Sequence, residues 1–150
     1  MPQTVQEILD DKAPRGGRLH ALAPGSPVRE AVALMVREDI GSVVVLEGGE
    51  LAGLVTLREL VKGLDSLGER LLDSPVRELM NAQPAVVRPE DSADTLRTTM
   101  TERHVTHVPV VKDRALVGIV SFHDIARSAI KDVAFENKLL KQYIKNWPAS

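Results

Sequence analysis

Ser121 and Asp124 are the pair of side chains in this sequence best suited to hold a ligand. Ser121 follows an apolar, strand-like segment, and the residues after it favour a helix. The serine hydroxyl and the free N–H groups at a helix start form a favourable seat for a phosphate. The short carboxylate of Asp124 can accept two hydrogen bonds from a ribose diol. The same spacing also suits a helix cap that needs no ligand, so the motif alone leaves both interpretations open.

Thr56 and Glu59 repeat this spacing earlier in the chain. Thr-x-x-Glu is the more typical capping box, and the longer glutamate side chain would not place its oxygens where those of an aspartate fall. We therefore expect one competent cleft at Asp124 and a weaker or differently used cleft at Glu59. The weaker cleft is expected to include Thr56, Arg58, Glu59 and Ser42.

Histidines near these motifs could contact an anion. Since histidine titrates near pH 6.5, His107 or His123 would bind a phosphate in a pH-dependent way. An ordinary exposed or hydrogen-bonded side chain is the alternative for each. Together with His104 they do not have a spacing that places three ligands on one face, so no metal site is expected.

The composition argues against several classes of protein. The hydrophobic fraction of 43% and the charged fraction of 27% are ordinary globular values, whereas 3% aromatic residues and a net charge of -2 disfavour nucleic acid as a partner. The absence of cysteine excludes disulfides and thiolate chemistry. Because we find no membrane-length apolar run, no signal core and no familiar catalytic motif, we expect a soluble cytoplasmic protein that is neither membrane-bound nor an enzyme.

An internal repeat positions both motifs. A constant spacing of 65 residues relates the two copies. It pairs Pro24 with Pro89, Ala31 with Leu96, Met35 with Met100, Val43 with Val108, Gly53 with Gly118 and Glu59 with Asp124. The segment VQEIL (5–9) matches VRELM (76–80) at a larger spacing, and extra residues around 11–17 are interpreted as a loop. A chance match of two amphipathic segments would not also align turns and glycines, so we infer a duplication.

Each copy is predicted to have the order β-α-β-β-α. The amphipathic helices begin after the Ser26-Pro27 cap and after Asp91, and a strand, a turn and a second strand follow each helix. Short first strands are expected near residues 19–22 and 85–87. Pro109 cannot donate to a ladder, which predicts that its strand lies at a sheet edge or beside a ligand. The region 127–147 predicts a late amphipathic helix that packs on the core or contacts a second copy.

The repeat resembles the cystathionine-β-synthase (CBS) domain. The second copy carries the motifs of that family in Val76-Arg-Glu-Leu-Met80, Val108-Pro-Val-Val111 and Gly118-Ile-Val-Ser-Phe-His-Asp124. The first copy departs from them, with Ile8-Leu9, Val43-Val-Val45 and Gly53-Leu-Val-Thr-Leu-Arg-Glu59. The resemblance implies an α/β fold in which two repeats pack with pseudo-two-fold symmetry into one module, followed by a C-terminal helix. The expected division is repeat 1 over 5–61, a linker over 62–75, repeat 2 over 76–130 and a helical tail over 131–150.

Many members of the family bind AMP, ADP, ATP or another adenosyl compound in the clefts of the module, so the ligand is expected in the cleft between the two repeats. Two modules commonly form a flat dimer. The resemblance assigns phosphate to Ser121, ribose to Asp124 and adenine to backbone and apolar groups. The nucleotide-binding residues expected from it are Asp124, Ser121, His123, Thr106, His107, Val105, Ala85 and Val87. It implies a non-catalytic regulatory homodimer that requires no cofactor and signals to an unidentified effector protein. The alternative is a ligand-free oligomerisation or protein-interaction module with decayed clefts.

Overall fold

The computed structural model describes residues 3–12, 19–130 and 137. The first half contains α1 (Val5–Lys12), β1 (Ala21–Leu22), α2 (Val28–Glu38), β2 (Ser42–Glu47), β3 (Glu50–Thr56) and α3 (Leu57–Leu67). Two short 3-10 helices follow, Gly68–Asp73 and Val76–Glu78. The second half contains α4 (Ala93–Arg103), β4 (His107–Lys112), β5 (Ala115–Ser121) and a helix, α5, over residues 122–130. Apart from residue 137, the predicted tail over 131–150 lies outside the described residues.

The duplication is confirmed by two matching antiparallel hairpins in one five-stranded sheet of order β1-β2-β3-β5-β4. Val45 pairs with Gly53 in the first hairpin, and Val110 pairs with Gly118 in the second. The register shifts directly after Val45 and Val110, at equivalent positions. The hairpins meet where Glu50 pairs with Ala115, so one mixed α/β module contains both repeats.

The second repeat keeps only a single bridge where a first strand was predicted over 85–87. The N–H of Val87 donates to the carbonyl of Pro109 over 3.1 Å, and its own carbonyl accepts from the N–H of Val111 over 2.9 Å. Pro84 and Pro89 flank this segment and cannot donate to a ladder, which limits its length. The prediction from Pro109 is confirmed, because β4 lies at the edge of the sheet.

Both helix caps differ from the prediction by one residue. Pro27 is itself the N-cap of α2, with extended backbone and no capping side chain, so it is not the first helical residue. The N-cap of α4 is Ser92, whose Oγ accepts the N–H of Thr95 over 3.1 Å. The carboxylate of Asp91 instead accepts the N–H of Arg88 over 2.8 Å, so it stabilises the turn that precedes the helix.

Each hydrophobic core takes its opening segment, the VQEIL motif (5–9) or the VRELM motif (76–80), from the other repeat. Val5 and Ile8 of α1 are buried against the side chains of the second repeat, and Val76 is buried against those of the first. Equivalent backbone bonds hold the two crossings, since the N–H of Val5 donates to Asp91 and that of Val76 donates to Ser26, each over 2.8 Å. Neither repeat has a complete core alone, and the exchange makes the pair one unit.

Gly53 and Gly118 lie where these opening segments cross the sheet. A Cβ at Gly53 would lie 2.5 Å from Sδ of Met80 and 3.0 Å from the backbone oxygen of Asn81. We expect Gly53→Ala to lower the free energy of unfolding by about 1–3 kcal/mol, because side chain and backbone must both shift. Urea denaturation measures this loss. At Gly118 the added Cβ would meet only the flexible end of Leu9, at 3.0 Å, so Gly118→Ala should lose less, and an equal loss would contradict the explanation.

Candidate functional site

Two cavities lie at the closing motifs of the repeats, Gly53–Glu59 and Gly118–Asp124. One, of about 880 Å³, is lined by Ser121 and Asp124 and is called here the Asp124 cavity. The other, of about 660 Å³, is lined by Thr56 and Glu59 and is called the Glu59 cavity. Both volumes fall in the range of roughly 300–1,000 Å³ that is usual for small-molecule sites. Equivalent residues of the two repeats line the two cavities, as pseudo-two-fold symmetry requires.

Each cavity combines segments of both repeats. The Asp124 cavity joins the closing motif of the second repeat to α1 and to His20, which precedes β1. The Glu59 cavity joins the closing motif of the first repeat to the segment after Val76–Glu78 and to Ala85. His20 and Ala85 are equivalent positions, as are Lys12 and Gln83. This interleaving follows from the exchange of the opening segments between the cores.

The interleaving corrects the predicted grouping of site residues. Five of the eight expected nucleotide-binding residues line the Asp124 cavity, namely Ser121, His123, Asp124, Thr106 and His107. Ala85 and Val105 line the Glu59 cavity instead, and Val87 lines neither of these two cavities because it is buried in the core. Ser42 was expected at the weaker cleft but lines the Asp124 cavity. Thr56, Arg58 and Glu59 lie together as expected, and Thr106 and His107 line both cavities.

Asp124 is held by a capping interaction and by an ion pair at once. Its Oδ2 accepts the N–H of Ser121 over 2.9 Å and the ammonium of Lys12 over 3.0 Å. Its own N–H donates to Oγ of Ser121 over 3.1 Å. Oδ1 lies 3.6 Å from Nη1 of Arg127, which is beyond hydrogen-bond range. The capping arrangement is therefore present at Asp124, and it leaves one carboxylate oxygen able to accept from a ligand.

Asp124 keeps its charge although only 5% of its surface is exposed. Burial alone would raise the pKa of this carboxyl, but the N–H of Ser121 and the ammonium of Lys12 outweigh that effect and hold the pKa below its usual range. At neutral pH the carboxylate can therefore accept hydrogen bonds but cannot donate them. A buried ionised carboxylate at a helix start suits the recognition of hydroxyl groups.

Glu59 is turned back onto its own helix, as the capping-box prediction required. Its Oε1 accepts the backbone N–H of Thr56 over 2.9 Å and the hydroxyl of Thr56 over 2.5 Å. Arg58 donates across the cavity mouth to the carbonyl of His104 over 3.3 Å. The geometry of the two closing motifs is therefore similar, but only Asp124 forms an ion pair with the opening segment of the other repeat.

The two cavities carry opposite charge. The Asp124 cavity has four carboxylates among its described lining residues: Asp10, Glu38, Asp39 and Asp124. Lys12 is the one lysine or arginine among these same residues. The Glu59 cavity has the basic residues Arg58, Lys62 and Arg103 and, within the described chain, the single carboxylate of Glu59. Among these lining residues, Lys12 therefore provides the lysine or arginine cation for an anion in the Asp124 cavity.

His107 lines both cavities and lies close to Gly41, the residue before β2. Its Nδ1 is 2.9 Å from Oγ1 of Thr106, and a Cβ added to Gly41 would lie 3.1 Å from its Cε1. Burial lowers the pKa of His107, and the Lys12 ammonium lowers it further, against weaker opposing effects of Asp124 and Glu59. The side chain is neutral at pH 7, so it is a poor counter-ion for a phosphate there.

This environment predicts a pH dependence of stability. The unfolded chain takes up a proton on His107 near pH 6.5, whereas the folded chain resists it, so the free energy of unfolding should fall as the pH drops from 7 to 5. In His107→Gln this decrease should be smaller. Urea denaturation at several pH values measures the difference. His123→Gln, at an exposed site, is the control, and an equal flattening in both variants would contradict a special role for His107.

Lys12 lines the Asp124 cavity but was not among the site residues expected from the sequence. Residues 11–17 were interpreted as a loop, but α1 continues to Lys12 and carries its side chain to a carboxylate 112 residues away. A lysine in this position has no local signature. Its equivalence to Gln83, three residues after the end of the VRELM motif, is the signal that could have drawn attention to it.

The sequence matches the CBS domain family twice, over residues 17–66 and 76–131. The chain therefore belongs to the CBS domain family and contains a tandem pair. It is 28% identical over 123 residues to CBS domain-containing protein CBSX3, mitochondrial, of Arabidopsis thaliana. That match covers 79% of this chain and 60% of the relative, so the chain spans less than two thirds of it.

Solved structures agree with this assignment. A putative signal-transduction protein with CBS domains from Burkholderia ambifaria superposes with a TM-score of 0.80 at 31% identity, over 87% of this chain and 96% of that one. The CBS domain pair of protein MJ0100, solved with 5-methylthioadenosine and S-adenosyl-L-methionine, has a TM-score of 0.76 at 22% identity, over 88% and 99% of the chains. At that identity the second similarity shows the fold alone.

Two other kinds of site are absent from the described residues. No helix in this part of the chain has both the length and the apolar character needed to cross a bilayer. Within the same residues, no three histidine or carboxylate side chains are grouped to hold a metal ion.

Proposed function

We propose that the chain is a non-catalytic regulatory module that binds an adenosine-containing compound in the Asp124 cavity. One observation carries the proposal: a buried, ionised carboxylate stands beside a serine at the start of α5, in a cavity of about 880 Å³. A ribose diol can donate to the carboxylate, and the helix start suits an anionic group. The cytoplasm is the expected setting.

The ligand class rests on chemistry and on the relatives. An adenosine compound supplies a vicinal diol for Asp124 and an apolar ring for the walls of the cavity, which include Leu19, Ile40 and Val117. AMP, ADP and ATP are the first candidates. The MJ0100 domain pair binds two adenosyl compounds without a phosphate, and this supports the adenosyl class without choosing its member.

We further propose that the module acts as a homodimer through α3. Leu57, Val61 and Leu64 are spaced along one face of this helix and are exposed by 61%, 68% and 60%. On α5, the matching helix of the second repeat, Phe122 and Ile130 are also exposed. Two related apolar faces on one module suit a two-fold association with a second copy. Ligand binding would then signal by favouring one dimer arrangement, which an effector protein reads.

One observation favours the alternative of a ligand-free interaction module. Ser121 and Asp124 hydrogen-bond to each other in the helix cap, and the Lys12 ammonium donates to the same carboxylate. A decayed cleft could keep this arrangement for stability alone. The exposed face of α3 would then be the functional surface.

A thermal-shift titration of the whole chain separates the two candidates. The compounds are AMP, ADP, ATP, NAD, S-adenosylmethionine and 5-methylthioadenosine, with GMP as the base control. We expect at least one adenosine compound to raise the melting temperature in a concentration-dependent way, because it binds the folded state only. The absence of any response would favour the interaction module.

A further inference from the structure

The side chain of Lys12 occupies the Asp124 cavity in the structure. Lys12 is the last residue of α1, and its ammonium donates to Oδ2 of Asp124 over 3.0 Å and to the carbonyl of Ile119 over 2.9 Å. Its side chain is 30% exposed, so the cation is partly withdrawn from water. This intramolecular contact holds the carboxylate that a ligand would need.

The contact breaks the symmetry between the repeats. In the first repeat the carbonyl of Leu54, the equivalent of Ile119, accepts the backbone N–H of Asn81 over 2.9 Å. The residue equivalent to Asn81 is Asp10, which lies inside α1, where backbone N–H groups are used within the helix. Lys12 therefore satisfies the Ile119 carbonyl with a charged side chain, and this places a side-chain cation where the other cavity has a backbone bridge.

The acceptor sites of Asp124 limit what can bind at the same time. An ionised carboxylate oxygen accepts about two hydrogen bonds, and Oδ2 already has two, from Ser121 and Lys12. A diol that donates one hydrogen bond to each oxygen must therefore take the place of Lys12, because the Ser121 bond belongs to the helix cap. When the diol binds in this way, with one hydrogen bond to each oxygen, ribose binding and the Lys12 contact exclude each other.

We infer that Lys12 is a specificity-determining residue, which pairs with Asp124 in the empty cavity and with the phosphate of the ligand in the occupied one. This inference rests on the proposed function. A neutral nucleoside bound in this way would break the ion pair and bring no anionic group of its own to the ammonium. A phosphate restores a charge-assisted bond, and no other lysine or arginine is present among the described lining residues. The cavity thereby prefers a phosphorylated ribonucleoside to a neutral one.

Calorimetric titration with AMP and adenosine tests the inference, because the two ligands differ only in the phosphate. Wild-type protein should bind AMP more tightly than adenosine. Lys12→Gln should weaken AMP binding about tenfold or more and leave adenosine binding unchanged or stronger, since the internal competitor is gone. The ratio of the two affinities should thus fall at least about tenfold. Lys12→Arg keeps the cation and should keep most of the preference.

The variants are chosen to separate selectivity from folding. Glutamine keeps a polar side chain without the charge, and thermal melting checks that the variant is folded. Gln83→Ala removes the equivalent side chain of the Glu59 cavity and should leave the ratio unchanged. Equal changes in AMP and adenosine affinity on Lys12→Gln would overturn the inference. Wild-type protein that binds neither ligand nor any other adenosine compound would instead overturn the proposed function.

The unmodified protein offers a second readout if Lys12→Gln does not fold. Acetylation of Lys12 by an amine reagent, followed by mass spectrometry, reports whether its ammonium is engaged. Saturating AMP should protect Lys12 at least as well as the empty cavity does, whereas adenosine should increase its reactivity. Equal reactivity with both ligands would contradict the exchange of partners.

Discussion

Replacing Asp124 by asparagine is expected to remove most of the thermal stabilisation that an adenosine compound gives to the protein. The neutral amide can accept at one atom only and loses the charge that strengthens bonds from the ribose hydroxyls. A hydrogen bond to a charged group contributes about 1.5–3 kcal/mol, so the affinity should fall roughly 10- to 100-fold. Thermal-shift titration with the compound that stabilises the wild-type chain most measures the loss.

Glu59→Gln is the matched control at the equivalent position. Its carboxylate is turned to Thr56 in a capping box, so we expect the ligand-induced shift to survive this change. Asp124→Asn also weakens the ion pair with Lys12, and the ligand-free melting temperature should fall; only the increment caused by ligand is therefore compared. An equal loss of that increment in both variants would contradict the assignment of the ligand to the Asp124 cavity.

Val61→Glu is expected to convert a dimer into a monomer. Val61 lies at the centre of the exposed stripe on α3, between Leu57 and Leu64, and it is 68% exposed. A glutamate there would bury an unpaired charge in an interface formed through this face, at a cost that a modest interface cannot offset. Light scattering coupled to gel filtration measures the mass, and circular dichroism checks the fold.

Val36→Glu provides the comparison for a surface charge away from that face. Val36 is a valine on α2, exposed by 76%, and its replacement should leave the dimer intact. A wild-type monomer, or a Val61→Glu protein that remains dimeric, would contradict the proposed interface. The rise in melting temperature that the ligand causes in the Val61→Glu monomer would then show whether dimerisation and binding are coupled.

The repeat architecture could be predicted from the sequence because its signals are local and occur twice. Apolar stripes predicted α2 and α4, and buried Met35 and Met100 confirm them. The glycines at positions 53 and 118 marked equivalent points of the two hairpins, where the opening segments cross. Pro109 predicted an edge strand because proline has no backbone N–H to donate to a neighbouring strand.

The composition of each cavity could not be predicted in the same way. Ser42 and Ala85 were each expected at the opposite cleft, because the sequence does not show how the segments of the two repeats are distributed between the two clefts. The exchange of α1 and the segment after Pro75 between the cores makes each cavity a product of both repeats, and no local pattern encodes this. The side chain of Lys12 reaches Asp124 only because of that exchange.

The local sequence also could not decide whether Asp124 caps a helix or binds a ligand. Serine and aspartate at this spacing do cap α5, and the same carboxylate is ionised inside a cavity. One pair of side chains thus stabilises the helix start and presents an acceptor. In the sequence, the two clefts differ by the longer side chain of Glu59 compared with Asp124. The structure adds a second difference, the charge of the residues that line each cavity.

The most direct test of the binding site is a titration of the ¹⁵N-labelled wild-type chain with AMP, followed through its backbone amide resonances. The account predicts saturable shifts of the amides from Ser121 to Asp124 and of His20, which face the Asp124 cavity. The amides from Thr56 to Glu59 should stay unchanged, whereas Thr106 and His107 face both cavities and do not discriminate. Shifts confined to Thr56–Glu59, or no shift with AMP or any other adenosine compound, would contradict it.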